Sequence, residues 1–302
     1  MEGILQRVLK YIKIVSAFIF FLRCFKRPLY VLAAFATYRP SLKVCFRDDS
    51  NTTVSRQVLF HLFLLVYFFQ VFPLSSRDGL ILLSDGSSVS PAGAKPLLDM
   101  LVSKGWQVEQ DTLRKGNLRF LLASDLPAIY EVFERKVYYV DVRGSTVVDV
   151  GAGTGDSCLY FAMLGAHKVI GVEPDPSRFA LAKRNLSLNP ELASRIELKM
   201  GYVRSPGPST VNESFTLSQL VASISHRLVL KMDCEGCEFD LILSDYESIK
   251  RFDVLVFEYH PNMVYKSFNR LLKRLQYDYQ LNIVAGDVMI GIAKCIRKGG
   301  RG

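Results

Sequence analysis

The chain has 302 residues, 49% of them apolar and 22% charged, which excludes a disordered or collagen-like polypeptide and leaves room for an enzyme domain plus an accessory segment. Its net charge of +9 sits at one end: residues 1–47 hold nine Lys/Arg against Glu2 alone, and the remainder is nearly balanced. The basic character therefore belongs to the N-terminus, and the rest lacks the phosphate-binding patch of a nucleic-acid binder.

Three regions follow one another. Residues 1–78 form a basic, hydrophobic, helical region with two apolar runs, Ile14–Leu22 and Val58–Phe72, both shorter than the roughly 20 residues that span a bilayer. A helix over residues 4–22 has two readings: it lies in a membrane interface with its bases on anionic headgroups, or it docks on the catalytic core. Val58–Phe72 is apolar all round, which predicts burial. Residues 79–145 form an α+β connecting region broken at Asp78-Gly79, Asp85-Gly86 and Lys104-Gly105. Short strands are expected at Trp106–Gln110 and Leu118–Leu122, and Asp125 is expected to cap a helix running through Phe133.

Residues 146–302 alternate strongly. Thr146–Val150, Val169–Val172, Ile196–Met200, Leu228–Met232 and Val254–Phe257 read as buried strands. Between and after them come helical segments at Asp156–Leu164, Ser177–Asn189, Leu217–Ser223, Glu238–Leu243 and Met263–Leu275. Ile283–Ala285 and Val288–Ile292 then suggest a closing antiparallel hairpin around Gly286-Asp287. The alternation implies an α/β fold, a doubly wound, mostly parallel sheet covered on both faces.

The turn after the first of these strands reads Asp149-Val-Gly151-Ala152-Gly153-Thr-Gly155-Asp156. Its glycines permit a tight turn and let a ligand approach the strand end. Glu173, followed by Pro174, closes the next strand, where an acid can take both hydroxyls of an adenosine ribose. A dinucleotide fingerprint needs a glycine where this chain has Asp156, and a pyrophosphate would be repelled by Asp149 and Asp156. S-adenosylmethionine, without phosphate and with cationic ammonium and sulfonium groups, suits these acids better.

With Val172-Glu-Pro-Asp-Pro and Arg184-Asn-Leu-Ser-Leu-Asn, the loop resembles class I S-adenosylmethionine-dependent methyltransferases, whose fold is Rossmann-like. Leu230-Lys-Met-Asp233-Cys-Glu235-Gly236-Cys-Glu238 and Phe257-Glu258-Tyr-His260 resemble the signature of the FkbM family, and the resemblance spans residues 117–295. It implies methylation of small molecules, glycans or lipid-linked sugars on a hydroxyl oxygen. Cys234 and Cys237 depart from the family pattern. They lack the second cysteine pair of a structural zinc site and read as two small buried thiols, in keeping with six cysteines scattered without disulfide rhythm in a cytoplasmic protein.

The strand ends bring the candidate chemistry together. Asp233 orients the acceptor, with Glu235 and Glu258 beside it, and His260 is either a general base or the cap of a following helix. Glu235 and Glu238 either secure their turn or, with Asp233, hold a divalent cation, although nothing in the sequence requires a metal. Asp149 and Asp156 are expected at the methionine ammonium, and Gly201 and Tyr202 at the adenine. The partner expected is a small-molecule or glycan acceptor, and not nucleic acid. The protein is expected in the cytoplasm, with peripheral contact at the inner face of the cell membrane through residues 4–22. Two other readings stay open: a tRNA-base methyltransferase, which Leu181, Asn185 and Asn189 at helical spacing could serve, and a membrane-associated cofactor-binding module without turnover.

Overall fold

The computed structural model describes residues 14–36, 40–92, 95–207, 213–259, 265–286 and 291–299. The chain divides into two compact units, Met1–Val108 and Glu109–Gly302.

In the first unit, residues 14–23 are helical, followed by a helix at Pro28–Ala36 and an antiparallel hairpin of Ser41–Cys45 and Asn51–Ser55. Ser55 caps the next helix, Arg56–Leu64, by accepting from the Val58 N–H at 3.2 Å. That helix runs into a π-helical turn, Leu65–Phe69, which ends where Gln70 takes a left-handed φ of 53°. The Val58–Phe72 run is not buried all round as its composition suggests. Val58, Leu59, Leu62, Leu65 and Val66 face the core, but Phe60 and Phe68 are 48% and 59% exposed. The segment is one-sided because it packs against residues 14–23 along one edge, with Phe63 stacking edge-on against Phe18 and Phe21.

The second unit is built on a seven-stranded sheet. Its strands are β1 (Thr146–Val150), β2 (Lys168–Glu173), β3 (Ile196–Met200), β4 (Leu228–Met232), β5 (Val254–Tyr259), β6 (Tyr279–Gly286) and β7 (Gly291–Arg297). Their spatial order is 3-2-1-4-5-7-6: β1 to β5 are parallel, and β7 runs antiparallel between β5 and β6. Every residue of β1 and β4 is buried, which is why these strands read as unbroken apolar runs. Helices α1 (Asp156–Met163), α2 (Pro176–Ser187), α3 (Cys237–Ser244) and α4 (Tyr265–Asp278) complete the alternation.

Two elements differ from their sequence expectation for identifiable reasons. The closing hairpin starts at Tyr279 rather than Ile283, because the buried Tyr279 hydroxyl lies 2.7 Å from the Ile249 carbonyl and 2.9 Å from that of Phe252, pinning the strand's first residue. The helix expected over Leu217–Ser223 ends at Leu220. Thr216 and Gln219 form a capping box at its start, but Val221 leaves the helical region with φ −117°.

Ahead of the sheet, Thr112–Lys115 and Leu118–Leu121 pair as a hairpin. Asp125 accepts from the Ala128 N–H and caps a helix at Leu126–Ile129 that widens into a π-helical turn, Tyr130–Glu134. Asn185 of α2 and Asn189, just beyond its end, hold this hairpin in place: their side-chain oxygens accept from the Leu121 and Arg119 N–H groups at 2.9 Å each. Asn185 also donates to the Ser124 hydroxyl and to the Thr154 carbonyl inside the glycine loop, both at 2.8 Å. These buried amides are spent on backbone and loop, which removes the helical-spacing argument for binding a tRNA base.

Candidate active site

At the carboxyl ends of β1, β2, β4 and β5 lies a cavity of about 230 Å³. Its first wall is the turn from β1 to α1, where Gly151, Gly153 and Gly155 have φ of 79°, 54° and 83°. Gly151 is also required by contact, since a Cβ there would sit 1.9 Å from the Asp233 carbonyl oxygen. The ends of β1 and β4 thus touch backbone to backbone. Glu173, 4% exposed, reaches back from β2: one carboxylate oxygen accepts from the Gly153 N–H at 2.8 Å and the other from the Asp175 N–H at 2.9 Å.

Asp149 is behind this wall, not on it. Its carboxylate is wholly buried, 3.0 Å from the Lys231 ammonium, and accepts from the Ser157 hydroxyl at 2.6 Å and the Cys158 thiol at 3.2 Å. Sheet register places Lys231 directly beside Asp149. Lys231 also donates to the Gly151 carbonyl at 2.8 Å and lies 4.0 Å from Asp233. Burial works against the ammonium, but Asp149, Asp233 and Asp156 outweigh it and hold the Lys231 pKa above that of an ordinary lysine. Asp156 does line the cavity. Burial pushes its carboxyl up to about 7, against the pull of Lys231.

The opposite wall carries a second group. The buried Tyr138 hydroxyl is 2.9 Å from an Asp233 carboxylate oxygen and 3.1 Å from one of Glu258. It has one proton and can satisfy only one of them at a time. The Lys231 ammonium sits 5.2 Å from the centre of the Tyr138 ring. Burial, then Asp233 and Glu258, push the phenol well above its usual range. Glu131, on the π-helical turn, also lines the cavity. Burial and repulsion from Glu258, Asp233 and Asp125 raise its carboxyl to about 8, with Arg135 opposing.

Residues 212–281, spanning β4, β5 and their connections, match the family model of the methyltransferase FkbM domain. The matched segment is similar to an FkbM methyltransferase domain. Over 130 residues the chain is 26% identical to an uncharacterized protein of Sulfolobus islandicus rod-shaped virus 1, covering 43% of this chain and 72% of that one. It is also 42% identical over 59 residues to a ribosomal protein L11 methyltransferase of Aliivibrio fischeri, 20% of each chain. Among solved structures, a methyltransferase FkbM from Methylobacillus flagellatus is similar at 18% identity and a TM-score of 0.42, covering 57% of this chain and 48% of that one.

Within the matched segment the turn after β4 is tightly built. Glu235 and Gly236 take φ of 57° and 120°, and the buried Glu238 carboxylate accepts from the Gly236 N–H at 3.0 Å, so Glu238 secures the turn. Glu235 lines the cavity. Cys234 and Cys237 are not two separate buried thiols: they are half-buried and joined in a disulfide, their Cα atoms 5.5 Å apart across the turn. Ala152 lines the cavity with Gly151 and Gly153, whereas Gly155 starts α1 and packs on Ala182 and Leu186. Pro174, Gly201 and Tyr202 are not among the residues that line it. Gly201 donates to the Glu173 carbonyl at 3.1 Å, and the Tyr202 side chain is 53% exposed. His260 lies outside the described residues. The His167 and His226 ring centres are 5.5 Å apart at the opposite edge of the sheet, with His226 beside Thr146.

Sequence reasoning missed Tyr138 and Glu131, which lie outside every motif. Lys231 lies inside the signature, and a lone lysine in Leu-Val-Leu-Lys-Met is itself a signal: a buried cation needs a buried acid on the neighbouring strand.

Proposed function

We propose that this cavity binds S-adenosylmethionine and that the domain methylates a hydroxyl oxygen of a small molecule, glycan or lipid-linked sugar. The observation that carries the reading is the juxtaposition of the glycine loop, bridged by Glu173, with the Tyr138–Asp233–Glu258 group on the facing wall. The cofactor is the one implied by the methyltransferase family, and the cavity's chemistry fits it. Asp233, Glu235 and Glu258, with a partly ionised Asp156, outnumber Arg178 and Lys231 on the cavity lining and make a wall that favours a cation and resists a phosphate-bearing dinucleotide.

Bound there, S-adenosylmethionine supplies a methyl group already activated for displacement by its sulfonium. Each Glu173 oxygen has a lone pair left for a ribose hydroxyl after accepting one N–H. Asp156 is the carboxylate available to the ammonium, while Asp149 acts indirectly by fixing Lys231 and, through it, the Gly151 carbonyl. Asp233 takes the proton of the acceptor hydroxyl, and the Tyr138 hydroxyl holds its carboxylate in place when it donates to Asp233 and not to Glu258.

Incubation of the protein with methyl-labelled S-adenosylmethionine and separate pools of small metabolites, glycans, lipids, protein and RNA tests this reading. Label should enter a hydroxyl-bearing non-polymeric or glycan fraction and disappear with Asp233→Asn. Label confined to RNA would support the tRNA-base reading and contradict ours, as would label confined to protein. Cofactor binding without label in any pool would favour a binding module.

A further inference from the structure

The first unit presents a surface that the methyl-transfer chemistry does not use. Helix Pro28–Ala36 carries no charged side chain, and its Val31 is buried while Leu29, at 77%, and Leu32, at 40%, are exposed. Leu29, Leu32 and Ala33 follow i, i+3, i+4 spacing, so one apolar stripe runs along the outer face. In the preceding helical segment Ile19 and Phe20 are 46% and 51% exposed, and the Arg23 guanidinium lies 5.7 Å from the Phe20 ring centre. Beside helix Pro28–Ala36 opens a cleft of about 650 Å³ whose charged lining is Lys26, Arg27 and Lys43 against Asp49 alone, with Asp49 paired to Lys26.

We propose that this face lies on an anionic bilayer surface, with the Leu29–Leu32 stripe in the acyl boundary and a lipid phosphate in the cleft at Arg27 and Lys43. Apolar stripe and basic cleft adjoin, the arrangement that seats an interfacial helix. No helix among the described residues is long and apolar enough to cross a membrane. A second copy of the chain is a poor occupant, because it would set two strongly basic segments against each other. The proposal stands apart from the methyltransferase reading and uses none of its residues.

The test is sedimentation of the full-length chain with vesicles of phosphatidylcholine alone or mixed with phosphatidylserine. Binding should require phosphatidylserine and fall as sodium chloride rises. Arg27→Gln with Lys43→Gln should lower the partition coefficient roughly 30-fold, from about one kcal/mol per base. Leu29→Asp with Leu32→Asp should abolish binding. Because these side chains are exposed, both pairs should keep the wild-type circular dichroism spectrum and S-adenosylmethionine affinity. Equal binding to both vesicles, wild-type binding by either folded variant, or no binding at all would overturn the proposal. So would a dimer in light scattering that Leu29→Asp dissolves, which would assign the face to a second copy.

Discussion

Replacing Lys231 by methionine keeps the length of the side chain and removes its charge from a site where both partners are sealed off, with Lys231 at 2% and Asp149 at 0% exposure. The lost ion pair measured 3.0 Å, and the lost hydrogen bond to the Gly151 carbonyl 2.8 Å. Ser157 and Cys158 still donate to Asp149, but both to the same oxygen, Oδ2. Oδ1 then faces no donor in a dry interior. Stranding one member of a buried pair costs about 3–5 kcal/mol, and the Gly151 carbonyl adds about 1 kcal/mol. We expect Lys231→Met to lose about 5 kcal/mol in urea denaturation followed by circular dichroism. Tryptophan fluorescence is the wrong probe, since the single tryptophan, Trp106, belongs to the other unit. Adding Asp149→Asn removes the stranded charge and should restore about half of the loss. A loss below about 1 kcal/mol, or a double variant no better than the single one, would refute the idea that this pair is what braces the glycine loop.

Four further outcomes follow from the same geometry. Tyr138→Phe keeps the ring but removes the proton between Asp233 and Glu258; methyl transfer should fall about 10- to 100-fold while S-adenosylmethionine affinity, by calorimetry, changes less than about three-fold. Glu131, with a folded-state pKa of about 8, holds its proton more tightly folded than unfolded, so its contribution to stability is present below about pH 4.5 and is lost as pH rises towards 8. Glu131→Gln should therefore exceed wild type by about 1–3 kcal/mol at pH 8.5, and the gap should close towards pH 5 in parallel denaturation curves. Gly151→Ala forces a Cβ to within 1.9 Å of the Asp233 carbonyl and should cost more than about 3 kcal/mol, or prevent folding. At Gly153 a Cβ meets only an Asp156 oxygen at 3.8 Å, so Gly153→Ala should fold, lose about 1 kcal/mol, and weaken cofactor binding instead.

The sheet was legible because its central strands are buried on both faces: Thr146–Val150 and Leu228–Met232 have the same bounds in the structure as in the apolar pattern. The alternation of Tyr279, Leu281 and Ile283 with polar Gln280 and Asn282 is itself a strand pattern, but the start of that strand is set by distant carbonyls at 249 and 252, which the local sequence does not show. The glycine loop and the Glu173 position were readable from local spacing. Tyr138 was not, since its partners lie 95 and 120 residues further along the chain and only the fold brings them together. For Asp149 the residue type was legible but its direction was not. Strand pleating and the neighbouring Lys231 turn the carboxylate inward, and that depends on which strand lies alongside. The cysteines misled for a related reason: a Cys-x-x-Cys spacing does not say that a turn with Glu235 and Gly236 at positive φ brings the two sulfurs together.

The central claim concerns the cofactor, and calorimetric titration with S-adenosylmethionine tests it most directly, in wild type and in Glu173→Ala, with NAD as the comparison ligand. The account predicts micromolar binding to the wild type, loss of at least ten-fold in Glu173→Ala, and no measurable heat with NAD. NAD binding, or absence of S-adenosylmethionine binding to folded protein, would contradict it and leave the glycine loop as a structural turn.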